Sequence, residues 1–84
     1  MQITVYSTPG CTQCRSTYKA LDQAGTQYEV VDITEDPSAF EFVLGLGHRG
    51  APVVVVSGAD NVLNQSHWSG HRPDLLRELT AAIG

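Results

Sequence analysis

Two cysteines separated by two residues lie where a strand pattern changes into a helix pattern. Cys11 and Cys14 follow an alternating, β-branched segment at residues 2–6 and a turn that contains Pro9 and Gly10. Beyond them the apolar side chains repeat with helical spacing. A disulfide between residues this close would close a very small loop and would stabilise the fold little. The pair therefore predicts redox chemistry at a strand-to-helix junction.

After the cysteine pair the chain predicts a helix, a strand and a second helix. Gly25 supplies the left-handed residue that commonly ends a helix, so the first helix is expected to end there. Residues 27–33 are rich in β-branched and aromatic side chains and predict the second strand. Asp36 followed by Pro37 is typical of a helix start, and this helix is expected to end near Gly45.

The remaining residues predict two strands and a closing helix. Residues 53–56 are four consecutive valines, which indicate a strand buried on both faces and hence central in its sheet. Turn-forming residues follow, and residues 62–65 are expected to return as an antiparallel partner. The last helix is expected to begin near Pro73. Its predicted buried stripe comprises Leu75, Leu76, Leu79, Ala82 and Ile83.

The element order β-α-β-α-β-β-α predicts an α/β protein. A strand–helix–strand crossover makes the first two strands parallel, and the closing hairpin adds an antiparallel edge. Helices on both faces of this four-stranded mixed sheet give a three-layer sandwich. With 84 residues, the chain has room for a single domain, residues 1–84.

Composition and charge argue against several functional classes. Nine Asp and Glu residues against five Lys and Arg residues give a net charge of −4, which disfavours binding to nucleic acid. No apolar run approaches the roughly 18 residues of a membrane span. No basic segment followed by an apolar stretch indicates a signal peptide. We therefore expect a cytoplasmic protein that binds neither membrane nor nucleic acid, in a compartment that keeps thiols reduced.

The position of the two cysteines predicts different roles for them. Unpaired backbone N–H groups and the helix dipole favour negative charge at a helix start, so Cys11 is the expected attacking thiolate. Cys14 lies one turn later on the same side and can reach back to Cys11. One sulfur then attacks a disulfide and the other releases the product. This chemistry predicts no metal or organic cofactor besides the Cys11–Cys14 disulfide.

A zinc site is the alternative from a different functional class. Zinc takes four ligands, and His67 and His71, spaced H-x3-H, complete a Cys2His2 set with the two cysteines. About fifty residues separate the two pairs, however, against roughly 12–15 in a zinc finger. A non-catalytic zinc-binding or interaction module is therefore the less favoured interpretation.

With Cys-x-x-Cys between the first strand and the first helix, the chain resembles the thioredoxin superfamily in its short glutaredoxin-like form. Residues 68–74, Trp-Ser-Gly-His-Arg-Pro-Asp, look like the Trp-Ser-Gly-aromatic-Arg-Pro segment of NrdH-type redoxins. Those proteins also favour glutamine before the second cysteine, as at Gln13, and Ala-Pro-Val-Val, as at residues 51–54. The resemblance covers essentially the whole chain.

The resemblance implies a thioredoxin/glutaredoxin-like fold and a dithiol–disulfide oxidoreductase that serves deoxyribonucleotide synthesis. Members of this family donate electrons to class Ib ribonucleotide reductase, here expected through its large subunit, and are reduced by thioredoxin reductase. By position, Cys11 is the attacking thiol, Cys14 the resolving thiol and Pro52 the cis-proline beside the active site. A monomer is expected. The alternative within the same class is a glutaredoxin that uses glutathione or another low-molecular-weight thiol.

The resemblance also implies a surface that binds partners around the motif. Its expected residues are Thr8, Gln13, Ala51, Pro52, Trp68, Ser69 and Gly70. Trp68 is expected to be exposed and to supply apolar docking surface, the alternative being a tryptophan packed under the loop. Two residues depart from the family pattern. Thr8 stands where many relatives carry lysine, and His71 stands where an aromatic residue is usual.

A glutathione site is expected to be incomplete in this chain. Glutathione presents two carboxylates and an amine, which call for a cation near the motif and for acidic residues at the start of the last helix. Thr8 stands where the cation near the motif would be, and Asp74 is the only acidic residue left at the start of the last helix. Arg72 is a cation that still suits one carboxylate, so the deficit is partial.

Overall fold

Four strands and three helices make up residues 2–58 and 66–83, the part of the chain that the computed structural model describes. In chain order they are β1 (Gln2–Ser7), α1 (Thr12–Gln23), β2 (Glu29–Asp32), α2 (Pro37–Gly45), β3 (Val53–Ser57), β4 (His67–Ser69) and α3 (Pro73–Ile83). The predicted α/β class and the element order β-α-β-α-β-β-α are confirmed. No helix in these ranges is long and apolar enough to cross a lipid bilayer.

The strands form one mixed sheet in the order β2-β1-β3-β4. β1 runs parallel to β2 and antiparallel to β3, and β3 runs antiparallel to β4. Val53 and Val54 in β3 have no exposed surface, as expected for a strand with a neighbour on each side. The prediction that the valine run forms a central strand is therefore confirmed.

The fourth strand of the structure, β4, lies at residues that were not predicted as a strand. The predicted return strand, residues 62–65, lies outside the described residues. Among the described residues, β3 pairs with β4, where Trp68 is opposite Val54 and Ser69 is opposite Val53. The segment that resembles the redoxin signature thus begins as a strand, and its register is fixed by β3.

Two apolar clusters lie on opposite faces of the sheet. The larger cluster joins the sheet to α1 and α3 and contains Ile3, Val5, Leu21, Val54, Val56, Trp68, Leu75, Leu76 and Leu79. The smaller one joins the sheet to α2 and contains Ile33, Ala39, Val43 and Val53. This gives the predicted three layers, with α1 and α3 on one face and α2 on the other.

The predicted buried stripe of α3 is correct for its three leucines and wrong for Ala82. That residue lies in the last helical turn, beyond Leu79, and is exposed. It is absent from the larger cluster, because the core ends one turn before the helix does. The side chain of Ile83 lies outside the described part of the structure.

Local sequence explains where α1 begins and ends and where α2 begins. Cys11 is the N-cap of α1, so this helix begins one residue later than the cysteine. Gly25 follows α1 with a φ of 69°, in the left-handed region that favours glycine. Asp36 caps α2 by accepting a hydrogen bond from the backbone N–H of Ala39 at 3.1 Å, and Pro37 occupies the first helical position.

Replacing Leu79 with alanine should lower the free energy of unfolding by about 2–5 kcal/mol, because the side chain is fully buried and its loss leaves a cavity. Leu44→Ala is the matched control, since it removes the same atoms from a side chain that is 44% exposed. Its loss should be markedly smaller. Urea unfolding followed by circular dichroism measures both values. Equal losses would contradict the assignment of the core.

Candidate functional site

The cysteine pair lies at the end of β1, where the chain turns into α1. Gly10, with a φ of 73°, allows the tight turn that brings Cys11 to the N-cap of the helix. A disulfide joins Cys11 to Cys14, with their Cα atoms 5.2 Å apart. Cys11 is half-buried, whereas Cys14 is only 2% exposed. An external disulfide can therefore approach the outer sulfur and not the inner one.

The start of α1 provides a favourable electrostatic environment for the outer sulfur. The Sγ atom of Cys11 accepts a hydrogen bond from the backbone N–H of Cys14 at 3.1 Å. The first turn of α1 contains no acidic side chain that would oppose a negative charge. After reduction, the same N–H group and the helix dipole stabilise a thiolate on Cys11.

Two hydrogen bonds connect the segment before α3 to the rest of the site. The backbone N–H of Gly70 donates to the carbonyl oxygen of Pro52 at 2.8 Å. The backbone N–H of His71 donates to the side-chain oxygen of Gln13 at 3.1 Å. Gly70 adopts a φ of 82°, so the turn between these two bonds requires glycine. The structure thus connects the predicted site residues Pro52 and Gly70 to Gln13, which lies within the cysteine motif.

The peptide bond between Ala51 and Pro52 is cis, as the family resemblance implies. Pro52 itself is buried, and its carbonyl oxygen is occupied by Gly70. Ala51 is half-buried and Ser69 is exposed. A partner can therefore contact Ala51 and Ser69 but not the side chain of Pro52.

The expectation that Trp68 is exposed is wrong. Its side chain is 3% exposed and belongs to the larger core cluster, which matches the alternative of a tryptophan packed beneath the loop. Because side chains alternate along β4, Trp68 faces α1 and α3 while its two neighbours face the other side. The indole Nε1 atom has no hydrogen-bond partner among the described residues. Trp68 therefore supports the signature segment from below and leaves docking to other residues.

An apolar groove beside the motif was missing from the sequence prediction. This groove, here called the Thr8 groove, has a volume of about 420 Å³ and lies between the β1–α1 turn, α2 and the loop before Pro52. Thr8, Phe40, Arg49 and Ala51 are among its lining residues. Phe40 is 42% exposed. A sequence signal existed, since α2 carries apolar residues around most of its circumference and a helix packed on one face cannot bury them all.

The two histidines of the zinc alternative have different neighbours. The Nδ1 atom of His71 lies 3.3 Å from the hydroxyl of buried Thr17. The Nδ1 atom of His67 lies 2.8 Å from Nε2 of His48. Residues 2–58 and 66–83 contain no group of three or more His, Cys, Asp or Glu side chains placed to hold a metal. The geometry therefore does not support the Cys2His2 set, and the expectation of a site without metal stays a prediction.

The two rings of His48 and His67 meet edge to face, with their centroids 5.0 Å apart. One ring donates the hydrogen bond and the other accepts it, so at least one ring must be neutral. Burial and the neighbouring charge of His67 lower the pKa of His48 below its usual value of 6.5. This pair links the loop before β3 to β4.

Substitution of Cys11 or of Cys14 by serine should separate the two steps of the reaction. Cys11→Ser should abolish disulfide reduction, because the accessible nucleophile is lost. Cys14→Ser should accumulate a mixed disulfide on Cys11, because the second thiol is no longer present to release the product. Reduction of insulin disulfides and peptide mapping of the trapped adduct are the measurements. An adduct of the Cys11→Ser variant on Cys14 would reverse the roles.

The protein should lose stability as the pH falls below about 6.5. The pKa of His48 is lower in the folded chain than in the unfolded chain, so between these values the unfolded chain binds more protons. The stabilisation is complete above the pKa that His48 has in the unfolded chain, and it is lost as the pH falls through the pKa that His48 has in the folded chain. Urea midpoints from pH 7.5 to 5.0 measure it, and His48→Gln should flatten the curve. His71→Gln, outside the pair, is the control, and an equal flattening would contradict this origin.

Comparison with known proteins agrees with the geometry of the site. The glutaredoxin family model matches residues 3–60. Over 82 residues the chain is 33% identical to the glutaredoxin-like protein NrdH of Escherichia coli K12, which covers 98% of this chain and 93% of that protein. The glutaredoxin-like protein NrdH of Lactococcus lactis is 32% identical over 77 residues, covering 92% and 97% of the two chains.

Solved structures give the same result. The structure of the Escherichia coli NrdH-redoxin, described as a glutaredoxin-like protein with a thioredoxin-like activity profile, superposes with a TM-score of 0.81 at 33% identity and covers 94% of this chain and 95% of that one. The thioredoxin-like protein BC3987 superposes with a TM-score of 0.78 at 25% identity, covering 93% and 99%. With the Cys11–Cys14 disulfide at the helix start, these matches show that the chain belongs to the glutaredoxin family, among its NrdH-type redoxins, and is a thiol–disulfide oxidoreductase.

Proposed function

We propose that this chain is a cytoplasmic, monomeric electron carrier that accepts electrons from thioredoxin reductase. It delivers them to a disulfide in the large subunit of a class Ib ribonucleotide reductase. The similarity to NrdH redoxins supports these partners, and the Escherichia coli relative is described as thioredoxin-like in its activity. The electrons reside in the Cys11–Cys14 dithiol, so the proposed cycle uses no metal or organic cofactor in this chain.

In the proposed cycle the reduced protein first attacks the disulfide of its substrate. The Cys11 thiolate forms a bond to one substrate sulfur, and the other substrate sulfur leaves as a thiolate and takes up a proton. The Cys14 thiol then loses its proton and attacks Cys11, which releases the second substrate thiol and forms the disulfide described above. Two electrons have passed to the substrate. A dithiol of the reductase reverses both steps.

The observation that carries the choice of reductase is the pairing of Arg72 with Asp74. Nε of Arg72 donates to one carboxylate oxygen at 3.2 Å, and Nη2 donates to the other at 3.0 Å. This mutual hydrogen bonding raises the pKa of Arg72 and lowers that of Asp74, so both groups are charged at neutral pH. These are the two charged residues that the sequence retains for a glutathione carboxylate and amine at the start of α3. In the folded chain they bind each other.

The exposure of this pair limits how strongly it can oppose glutathione. The two side chains are 48% and 56% exposed, and ion pairs in contact with water are weak and screened by salt. To bind Arg72 or Asp74, glutathione must therefore displace only a weak contact. The protein also lacks a cation at Thr8 that would bind a glutathione carboxylate. The two deficits together favour a protein reductase over glutathione.

The Thr8 groove supports a protein as the direct partner. Phe40 lines the groove with a partly exposed side chain, and Ala51 connects the groove to the cis-proline Pro52. Apolar side chains that enter a small pocket commonly dominate the affinity of protein interfaces. We propose that an apolar side chain of the partner occupies this groove while the partner's disulfide faces Cys11. Arg49 lines the same groove and contributes the positive charge of this contact.

NADPH consumption with thioredoxin reductase should be at least about tenfold faster than with glutathione and glutathione reductase, a ratio equivalent to 1.4 kcal/mol of barrier. Reduction of ribonucleotide reductase or of insulin serves as the acceptor reaction. A faster reaction with glutathione would overturn the proposed reductase and leave the dithiol mechanism in place.

Asp74→Asn tests the reason for this preference. The substitution removes the carboxylate that occupies Arg72, so the rate with glutathione should rise while the rate with thioredoxin reductase stays near that of the wild type. Glu29→Gln is the matched control, because it removes the same charge at an exposed position at the start of β2, outside the Thr8 groove. A rate with glutathione that is equal in both variants would contradict the role of the Arg72–Asp74 pair.

A further inference from the structure

We propose that a shallow groove between α1 and α3 binds an acidic segment of the protein redox partner. This α1–α3 groove has a volume of about 310 Å³. Its polar and charged lining residues are Ser16, Lys19, Gln23, His71, Arg77 and Thr80. It lies on the opposite face of the sheet from the Thr8 groove. The inference rests on the proposed function, because it requires a protein that docks beside the disulfide.

Charge is distributed unevenly between this groove and the rest of the chain. The chain has nine Asp and Glu residues and five Lys and Arg residues, yet the lining contains two of these five cations and no acidic residue. Lys19 projects from α1 and Arg77 from α3, so the positive charges come from both walls. Neither forms an ion pair within the described ranges, in contrast to Arg72. Both cations are exposed and available to a ligand.

The groove begins next to the redox site. His71 lines it and also donates its backbone N–H to Gln13 inside the cysteine motif. The ring of His71 is held against α1 by its contact with Thr17. Ser16, at the same end, follows Cys11 by five residues, or about 7.5 Å along the helix axis. At about 3.3 Å per extended residue, a segment bound in the groove therefore begins about three residues from the partner sulfur that meets Cys11.

The dimensions of the groove fit a short extended peptide. From Ser16 to Gln23 the wall formed by α1 is about 10 Å long. An extended chain advances about 3.3 Å per residue, so about three residues fill this length. A lysine ammonium and an arginine guanidinium are both suited to carboxylates, and the guanidinium binds them in a bidentate way. The occupant that matches length and charge is a segment with two acidic side chains.

The positive charge of the groove allows a chain of net charge −4 to attract an acidic segment locally. An acidic partner is repelled by the molecule as a whole, and a local positive patch both attracts it and fixes its orientation. Such contacts at a wet surface act mainly on the rate and orientation of encounter. The α1–α3 groove is thus expected to affect the KM for a protein partner and not the chemistry at Cys11.

The first test is binding of a hexaglutamate peptide to the oxidised protein at low salt, followed by backbone amide NMR shifts. With hexaglutamate we expect shifts at Lys19, His71 and Arg77, whereas hexalysine should cause no shifts at these three residues. The double variant Lys19→Gln/Arg77→Gln should weaken binding about fivefold, as expected for two exposed ion pairs. The control Gln2→Glu/Gln27→Glu makes the same change in net charge at exposed positions outside the groove. Equal affinity of both variants, or shifts elsewhere, would overturn the proposal.

The second test uses the protein partners themselves. With thioredoxin reductase or class Ib ribonucleotide reductase, the Lys19→Gln/Arg77→Gln variant should show a KM about fivefold above that of the control variant at low salt. The difference should shrink as salt is added, and kcat should stay unchanged. An equal KM of the two variants for both partners would overturn the proposal. If wild-type protein reacts with neither partner, the proposed function fails, and the peptide titration still decides whether the groove binds acidic segments.

Discussion

The site depends on the pairing of Val53 with a neighbour on each side. In the sheet, Val53 lies opposite Tyr6 of β1 and opposite Ser69 of β4. The end of β1, the start of β3 and the end of β4 therefore lie side by side at one end of the strands. The cysteine turn follows β1, Pro52 precedes β3 and Gly70 follows β4. A shift of one residue in either register would turn the buried side chains outward, so burial of Val53 on β3 specifies the alignment.

Much of the fold follows from local signals in the sequence. Gly25 after α1, Asp36 with Pro37 before α2, and the valine run of β3 are each interpretable within a few residues, and the element order follows from them. The assignment of Cys11 and Cys14 has the same origin, because a helix start is visible in the sequence. The cis bond before Pro52 was expected from the family resemblance alone, since spacing and composition say little about proline isomers.

The features that the sequence did not predict depend on contacts between distant residues. β4 has three residues, too few to show an alternating pattern, and it exists because β3 offers it a free edge. Burial of Trp68 follows from that pairing, which turns the indole toward Leu75 and its neighbours in the larger cluster. Ala82 is exposed because it lies beyond Leu79, the last described residue of α3 that belongs to the larger cluster. The Thr8 groove likewise requires residues from four separate segments to meet.

The small size of the chain makes several site residues part of its core, and this determines where partner specificity can reside. Cys14, Pro52 and Trp68 are buried, so their substitution disturbs packing as well as any contact at the surface. The residues that can vary freely flank the disulfide on opposite faces of the sheet. The Thr8 groove, with Phe40, lies on the α2 side, and the α1–α3 groove, with Lys19 and Arg77, lies on the other. A partner that contacts both faces holds its disulfide over Cys11 from two sides, one by apolar and one by charged contacts. Two weak sites that restrict orientation together provide selectivity without slow release, which suits a carrier that must leave its partner after each transfer.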